Sequence, residues 1–126
     1  MQQQMLIEPD FAAIAPARRW ASNHLKDAGV AGQTLDILVL LVSEVVTNAV
    51  AHAIPPVALL LAVDDQRVRV EVRDCAREVP IVKYPAASAT GGRGIALVDM
   101  LATRWGVTSF DDDEDRLKSV WFEVEL

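Results

Sequence analysis

The stretch Ser43-Glu44-Val45-Val46-Thr47-Asn48-Ala49-Val50-Ala51-His52 decides how this chain folds. At about 100° per residue, Glu44, Asn48 and His52 fall on one edge of a helix. The opposite side of that helix carries only apolar residues, which are Val42, Val45, Val46, Ala49 and Ala53. The stretch therefore predicts a helix with one buried side and one stripe of three polar groups.

The residues before this stretch offer two interpretations of the stripe. Ile37, Leu40 and Leu41 lie on the same edge one to two turns earlier, which predicts that the helix begins covered on both sides. Glu44 and Asn48 would then continue a covered edge, where a carboxylate or an amide needs a partner, an ion or a ligand. The alternative is that the helix emerges into solvent at residue 43 and that the stripe is an ordinary polar surface.

Length and hydrophobicity predict one compact domain over residues 1–126. Of the 126 residues, 52% are hydrophobic, and a chain of this length buries about two thirds of its extended surface on folding. The apolar run from Ile37 to Val42 is too short to span a bilayer, and the chain does not open with a basic segment followed by an apolar one. We therefore expect a cytoplasmic protein without a membrane partner.

The charge and the cysteine content restrict the class of partner. The net charge is −6 and no basic stripe is present, which argues against direct binding of nucleic acid. The single cysteine, Cys75, excludes an internal disulfide and any site made of several cysteines, and it suits a reducing compartment. A protein partner or a small ligand is favoured.

Spacing and turn residues predict the other elements. Apolar residues at helical spacing indicate a first helix from Pro16 to a stop at Gly29, and the central helix runs from about Thr34 to Ala53. A third helix opens behind Gly94. Continuous apolar runs or strict alternation predict strands at residues 5–7, 57–63, 67–73, 105–110 and 120–126, whereas residues 2–4 could be a frayed end.

Helices and strands are segregated along the chain rather than alternating, which predicts an α+β fold. We expect a two-layer α/β sandwich, with a mostly antiparallel mixed sheet and helices on one face. Two strands would direct alternate residues to the core, and those residues are Val68, Val70, Val72, Val120, Phe122, Val124 and Leu126. Residues 75–92 lack periodicity, and so long a connection in a small domain is usually functional.

Two further features can carry chemistry. Gly91-Gly92-Arg93-Gly94 lies where the long connection becomes a helix, and free N–H groups at a helix start attract phosphate. Asp74 ends an alternating strand, where a carboxylate can accept a hydrogen bond from an exocyclic amine and distinguish adenine from guanine. Each feature taken alone also fits a purely structural turn.

Together these features resemble the Bergerat-fold ATP-binding domain of the GHKL superfamily, which carries Glu-x-x-x-Asn on a helix, an Asp at a strand end and a glycine turn before a further helix. Residues 43–52, 91–95 and 119–122 more narrowly resemble the short anti-sigma-factor serine kinases of bacteria. The resemblance covers nearly the whole chain, from the first helix to the last strand. It implies that the chain binds ATP and Mg2+.

The resemblance also implies roles for individual residues. Asn48 would bind the Mg2+ ion that bridges the ATP phosphates, and Glu44 would take the proton from a serine hydroxyl of a protein substrate. A spacing of four residues places these two side chains on one helix face. Asp74 would hold the adenine amine. The other nucleotide contacts would come from His52, Gly92, Arg93, Gly94 and Ser119.

The likeness further implies a lid at residues 83–90, a sigma factor and an anti-sigma-factor antagonist as partners, and a homodimer formed through an apolar face that includes Trp20. One of Arg77, Lys83 and Arg93 would contact the terminal phosphate. Residues 75–80 depart from the family because they contain no glycine, and Leu117 stands where many relatives have one. The missing glycines leave open an ATP-binding module without catalysis, and a sensor-kinase domain that phosphorylates histidine is a third alternative.

Overall fold

A computed structural model describes residues 1–75, 94–111 and 116–126. Within these ranges the chain forms a five-stranded sheet, three α-helices and a short 3-10 helix at Phe11–Ala13. In chain order the strands and α-helices are β1 (Gln2–Ile7), α1 (Ile14–Asp27), α2 (Gly32–His52), β2 (Val57–Val63), β3 (Arg67–Asp74), α3 (Gly94–Leu101), β4 (Arg104–Asp111) and β5 (Arg116–Glu125).

The sheet has the strand order β1-β2-β3-β5-β4, and every pairing in the described residues is antiparallel. Alternation in β3 explains its two faces: Val68, Val70 and Val72 are buried, whereas the residues between them are partly exposed. The same buried face joins the helices in one hydrophobic cluster. The predicted α+β fold is therefore confirmed, although no parallel pairing occurs in the described sheet.

Helix α2 is the central element of the helical layer. It packs against α1, α3 and β3, and it buries Leu38, Leu41, Val42, Val45, Val46 and Ala49. By length and composition alone it could also span a membrane, but its buried side chains in the core account for the same apolar character. Helix α1 buries Ala17 and Ala21, whose small side chains let the two helices approach closely.

Several element ends differ from the sequence-based expectation. Strand β1 begins at Gln2, because Gln2 to Gln4 pair through their backbone with Ala62 to Leu60 of β2. Helix α1 begins at Ile14, ahead of Pro16, and α2 begins at Gly32. Strand pairing uses backbone groups, so the polar side chains of Gln2 to Gln4 gave no sign that these residues belong to a strand.

Three side chains differ in exposure from the sequence-based expectation, namely Leu126, Leu40 and Trp20. Leu126 is 53% exposed because it follows the end of β5. Leu40 is 41% exposed, whereas Leu41 on the same edge of α2 is fully buried, so the start of this edge is covered only in part. Trp20 packs against the core, and its ring meets the ring of His24 edge-on with the centroids 4.9 Å apart. Trp20 is therefore partly buried within this chain.

Candidate functional site

Three of the residues expected to form the site line one small pocket between the helical layer and the end of the sheet. They are Asn48 and His52 of α2 and Asp74 of β3, and the pocket has a volume of about 20 Å³. The other residues of its lining are Val45, Ala49, Ala53, Val72, Lys118 and Val120. The structure thus joins the polar stripe of the central helix to the carboxylate at the strand end.

The convergence follows from where α2 and β3 end. Asp74 is the last residue of β3 and continues the alternation that directs Val72 to the core. Directly after it, the Cys75 N–H donates a 3.1 Å hydrogen bond to the Ile54 carbonyl, which lies just beyond the end of α2. This bond holds the end of the strand beside the last turn of the helix, where His52 lies.

A buried ion pair lies in this pocket. Asp74 is 3% exposed and Lys118 is 8% exposed, and the two residues face each other across the β3–β5 pairing. The Lys118 Nζ lies 3.6 Å from the Asp74 Oδ2. Burying one charge without an opposite charge is costly, so each group stabilises the other in this position.

Lys118 was not predicted as a site residue, although the sequence contains the signal that locates it. Val120, Phe122 and Val124 alternate toward the core, and the same period of two places residue 118 on that face. A lysine at a core-facing position of a strand needs a reason, because lysine is almost never fully buried without a partner.

Ser119 lies away from this pocket. Its hydroxyl donates a 3.1 Å hydrogen bond to the Glu71 Oε2 on the opposite face of the sheet. Successive residues of a strand point to opposite faces, so Ser119 and Lys118 cannot both face Asp74. The structure does not bring Ser119 together with the other site residues, and Lys118 is the residue of β5 that shares the pocket.

Glu44 and Asn48 are partly buried on α2, one turn apart. Neither side chain makes a hydrogen bond or an ion pair with the rest of the described ranges. Glu44 is absent from the lining of the small pocket, whereas Asn48 belongs to it. Between them, the Thr47 hydroxyl donates a 2.7 Å hydrogen bond to the Ser43 carbonyl, so the helix itself satisfies the hydroxyl of the motif.

Several expected site residues fall outside the described part of the chain. These are Gly92, Arg93, the proposed lid at residues 83–90, and the phosphate candidates Arg77 and Lys83. Gly94 is described as the first residue of α3. Helix α3 packs on α2, which is the helix that carries Glu44 and Asn48.

A larger concavity, of about 510 Å³, lies on the opposite face of the sheet. It is lined by Gln2, Gln3, Gln4, Leu60, Leu61, Ala62, Arg69, Glu71 and Arg73. Its charges pair with one another, since Glu71 accepts from Arg69 at 2.8 Å and from Arg73 at 3.1 Å. The larger volume holds none of the residues expected to bind a nucleotide, so the small pocket is the better candidate site.

Glu71 on this open face has a pKa below its ordinary value. Burial alone would raise the pKa, but the hydrogen bonds from Arg69 and Ser119 and the positive charges of Arg69 and Arg73 outweigh burial. The carboxylate is thus held ionised by the neighbouring guanidinium groups. Its partners account for this charge without any ligand.

The fold and the small pocket define a two-layer α+β domain that presents an acid, an amide and a histidine at one end of its sheet. The sequence profile of the histidine kinase-like ATPase domain matches residues 7–122. This chain belongs to the histidine kinase-like ATPase domain family. Membership indicates an ATP-binding, kinase-like module, and such domains usually bind ATP together with Mg2+. No curated protein matches the sequence.

The described residues fit the ligands that the family implies. Mg2+ prefers oxygen ligands and is usually held by few protein groups, and the Asn48 side chain offers an amide oxygen with no hydrogen bond in the described ranges. The buried Asp74 carboxylate can accept hydrogen bonds from an amine at the edge of a purine. Asn48 would therefore hold the metal and Asp74 the base.

Proposed function

We propose that this chain is an ATP-dependent serine/threonine protein kinase of the anti-sigma-factor type. It binds a sigma factor in the cytoplasm and phosphorylates an anti-sigma-factor antagonist, using ATP and Mg2+. The observation that supports this proposal is that Asn48, His52 and Asp74 line one pocket, in a chain of the histidine kinase-like ATPase family.

Each described residue has a role that follows from its position. Asp74, buried at the strand end, accepts the amine of adenine and orients the base. Asn48 supplies an oxygen to the metal, which when bound neutralises phosphate charge. Glu44 lies one turn before Asn48 on α2, so it can accept the proton of a serine or threonine hydroxyl brought up to the nucleotide.

A second candidate is an ATP-binding module that acts only by holding a protein partner. The position of Glu44 favours it, because Glu44 does not line the small pocket. In that case Glu44, although one turn from Asn48 on α2, would take no proton from a substrate hydroxyl. A homodimer remains a prediction for either candidate, and sedimentation of the purified chain would test it.

Phosphotransfer separates the two candidates. Purified protein is incubated with γ-labelled ATP, Mg2+ and candidate antagonist proteins, and phosphoserine and phosphothreonine are measured. We expect transfer that falls by about 10² to 10⁴ in Glu44→Gln, the range of a lost general base. ATP affinity, measured by calorimetry, should change little, since Glu44 does not line the pocket.

Asp36→Asn is the matched control, because Asp36 is an exposed carboxylate on the same helix. It should leave both transfer and ATP affinity unchanged. Transfer that survives Glu44→Gln would refute the role of Glu44 as the base. ATP binding without transfer to any antagonist would support the module, and absence of ATP binding would refute both candidates.

A further inference from the structure

Lys118 stands out within the pocket as a charged side chain in an otherwise apolar strand face. Its side chain is 10% exposed and the Asp74 side chain is 4% exposed, with 3.6 Å between Nζ and Oδ2. The neighbouring positions on the same face of β5 are apolar, namely Val120, Phe122 and Val124. The ammonium group therefore lies at the carboxylate that the proposed function assigns to the nucleobase.

The pocket is so small that the position of Lys118 affects whether a base can enter. A volume of about 20 Å³ accommodates roughly one water molecule, whereas ligand pockets typically have about 300–1,000 Å³. Five of the lining residues are valine or alanine, whose short side chains have little freedom to move aside. Lys118 has a four-carbon flexible chain, so it is a lining side chain that can move aside to open the described pocket.

We propose that Lys118 is a specificity-determining residue, whose ammonium group occupies the place at Asp74 that the amine of a 6-aminopurine takes. Binding of ATP then exchanges the Lys118–Asp74 ion pair for a hydrogen bond from the base. This inference rests on the proposed function, since it takes Asp74 as the group that recognises the base. The inference goes further, because it makes Lys118 a competitor of the nucleotide for Asp74.

The energetics follow from the burial of the pair. Removing one partner of a buried ion pair leaves the other charge without compensation and is strongly destabilising. Without the Lys118 charge, Asp74 loses this ion pair in the free protein, and a bound amine replaces the lost donor. The variant should therefore be less stable without ligand and should bind a 6-aminopurine nucleotide more tightly.

Lys118→Met tests this, because methionine keeps an unbranched chain and removes the charge. Calorimetry with Mg2+ compares ATP with purine riboside triphosphate, which lacks the amine. We expect the ATP dissociation constant to fall by roughly tenfold and the constant for the amine-free nucleotide not to fall. The melting temperature without ligand should drop, and the upward shift on adding ATP should be larger than in the wild type.

Two further variants make the result specific. Lys26→Met removes an exposed lysine of α1 and should leave both affinities at the wild-type values. Lys118→Arg restores a cation at the pocket and should lose the gain in ATP affinity. If Lys118→Met does not fold, Lys118→Gln removes the charge but keeps a neutral donor, so the gain in ATP affinity should be smaller and should again be absent for the amine-free nucleotide.

The outcomes distinguish this inference from the proposed function. ATP binding that is unchanged or weaker in Lys118→Met would overturn the inference. Unchanged binding would mean that Lys118 does not affect the base, and weaker binding would mean that Lys118 contacts the nucleotide. An equal gain for both nucleotides would show that Lys118 controls only the opening of the pocket and would overturn its role in specificity. A wild-type protein that binds neither nucleotide would refute the proposed function itself.

Discussion

The two faces of the sheet carry their charges in opposite ways. On the open face, Arg67 and Arg69 each contact Glu123 at 3.3 Å, and Arg69 and Arg73 contact Glu71. The face covered by helices is apolar along the middle of β3 and β5, and among the described residues of these two strands it carries the ion pair of Asp74 with Lys118. On the open face the arginines are partly exposed even where their partner Glu123 is buried, whereas both members of the Asp74–Lys118 pair are buried.

The difference shows where a charge indicates function. Partly exposed ion pairs contribute about 0–1 kcal/mol each, and a row of them keeps an uncovered sheet face soluble without any ligand. A charge pair inside an apolar layer does not stabilise better than apolar residues of the same size. The pair at Asp74 therefore marks the site more reliably than the larger number of charges on the open face.

Truncation of two neighbouring aromatic residues of β5 should produce the largest contrast between the faces. Phe122 is fully buried on the covered face, so Phe122→Ala should lower the free energy of unfolding by about 3–5 kcal/mol. Trp121 points to the open face, where the Arg69 guanidinium lies 4.3 Å from its ring centroid. Trp121→Ala should cost only about 1 kcal/mol, because it loses a cation–π contact and partial burial.

Urea unfolding of the two variants provides the measurement, with the midpoint and the slope fitted separately. Equal losses for Phe122→Ala and Trp121→Ala would contradict the distinction between a core face and an open face. They would instead indicate that another layer covers Trp121 in solution.

Close packing on the open face should give the next largest effect. Gly106 of β4 pairs with Trp121 of β5, and a Cβ added at Gly106 would lie 2.9 Å from the Trp121 Cζ2. Gly106→Ala should therefore displace the indole and cost about 1–3 kcal/mol. Urea unfolding measures the loss, and tryptophan emission should shift as the ring moves.

The Trp121→Ala background is the control for this prediction. Removal of the indole takes away the three atoms nearest to the added methyl group, so Gly106→Ala should then cost less than about 0.5 kcal/mol. Additive losses in the double variant would show that the glycine is required for its backbone rather than for the contact with the ring.

The sequence predicted much of the fold, because period and alternation are local properties. The polar stripe of α2 and the strand that ends at Asp74 are found where the spacing predicted them. The glutamines of β1 were missed as a strand, because they pair through backbone groups. Leu126 was predicted to be buried because alternation does not show where a sheet ends.

The site was predictable only in part, for a different physical reason. The sequence indicates the polar stripe and Asp74 separately. It does not indicate that they share a pocket, because this depends on a tertiary contact, the hydrogen bond from the Cys75 N–H to the Ile54 carbonyl. At β5, the family likeness selected Ser119, whereas the alternation of the same strand already directs Lys118 to the pocket. Because successive residues of a strand point to opposite faces, only one of two adjacent residues can face a ligand.

The smallest expected effect concerns the pH dependence of the open face. The pKa of Glu71 lies below its ordinary value of 4.5: although burial opposes this, hydrogen bonds from Arg69 and Ser119 outweigh it. Because the folded state binds the proton less readily than the unfolded state, the stability from Glu71 is complete above that ordinary value. It is lost as the pH falls through the lower pKa of the folded protein.

Glu71→Gln removes this dependence, so the free energy of unfolding of the variant should fall less steeply below pH 4.5 than that of the wild type. The difference should stay under about 1 kcal/mol, as expected for partly exposed ion pairs. Carboxyl NMR titration of the wild type and of Arg69→Gln gives the direct test, since loss of that guanidinium should raise the pKa of Glu71. An unchanged pKa in Arg69→Gln would mean that the ion pairs of the open face do not act on Glu71 in solution, and the contrast between the two faces would then rest on burial alone.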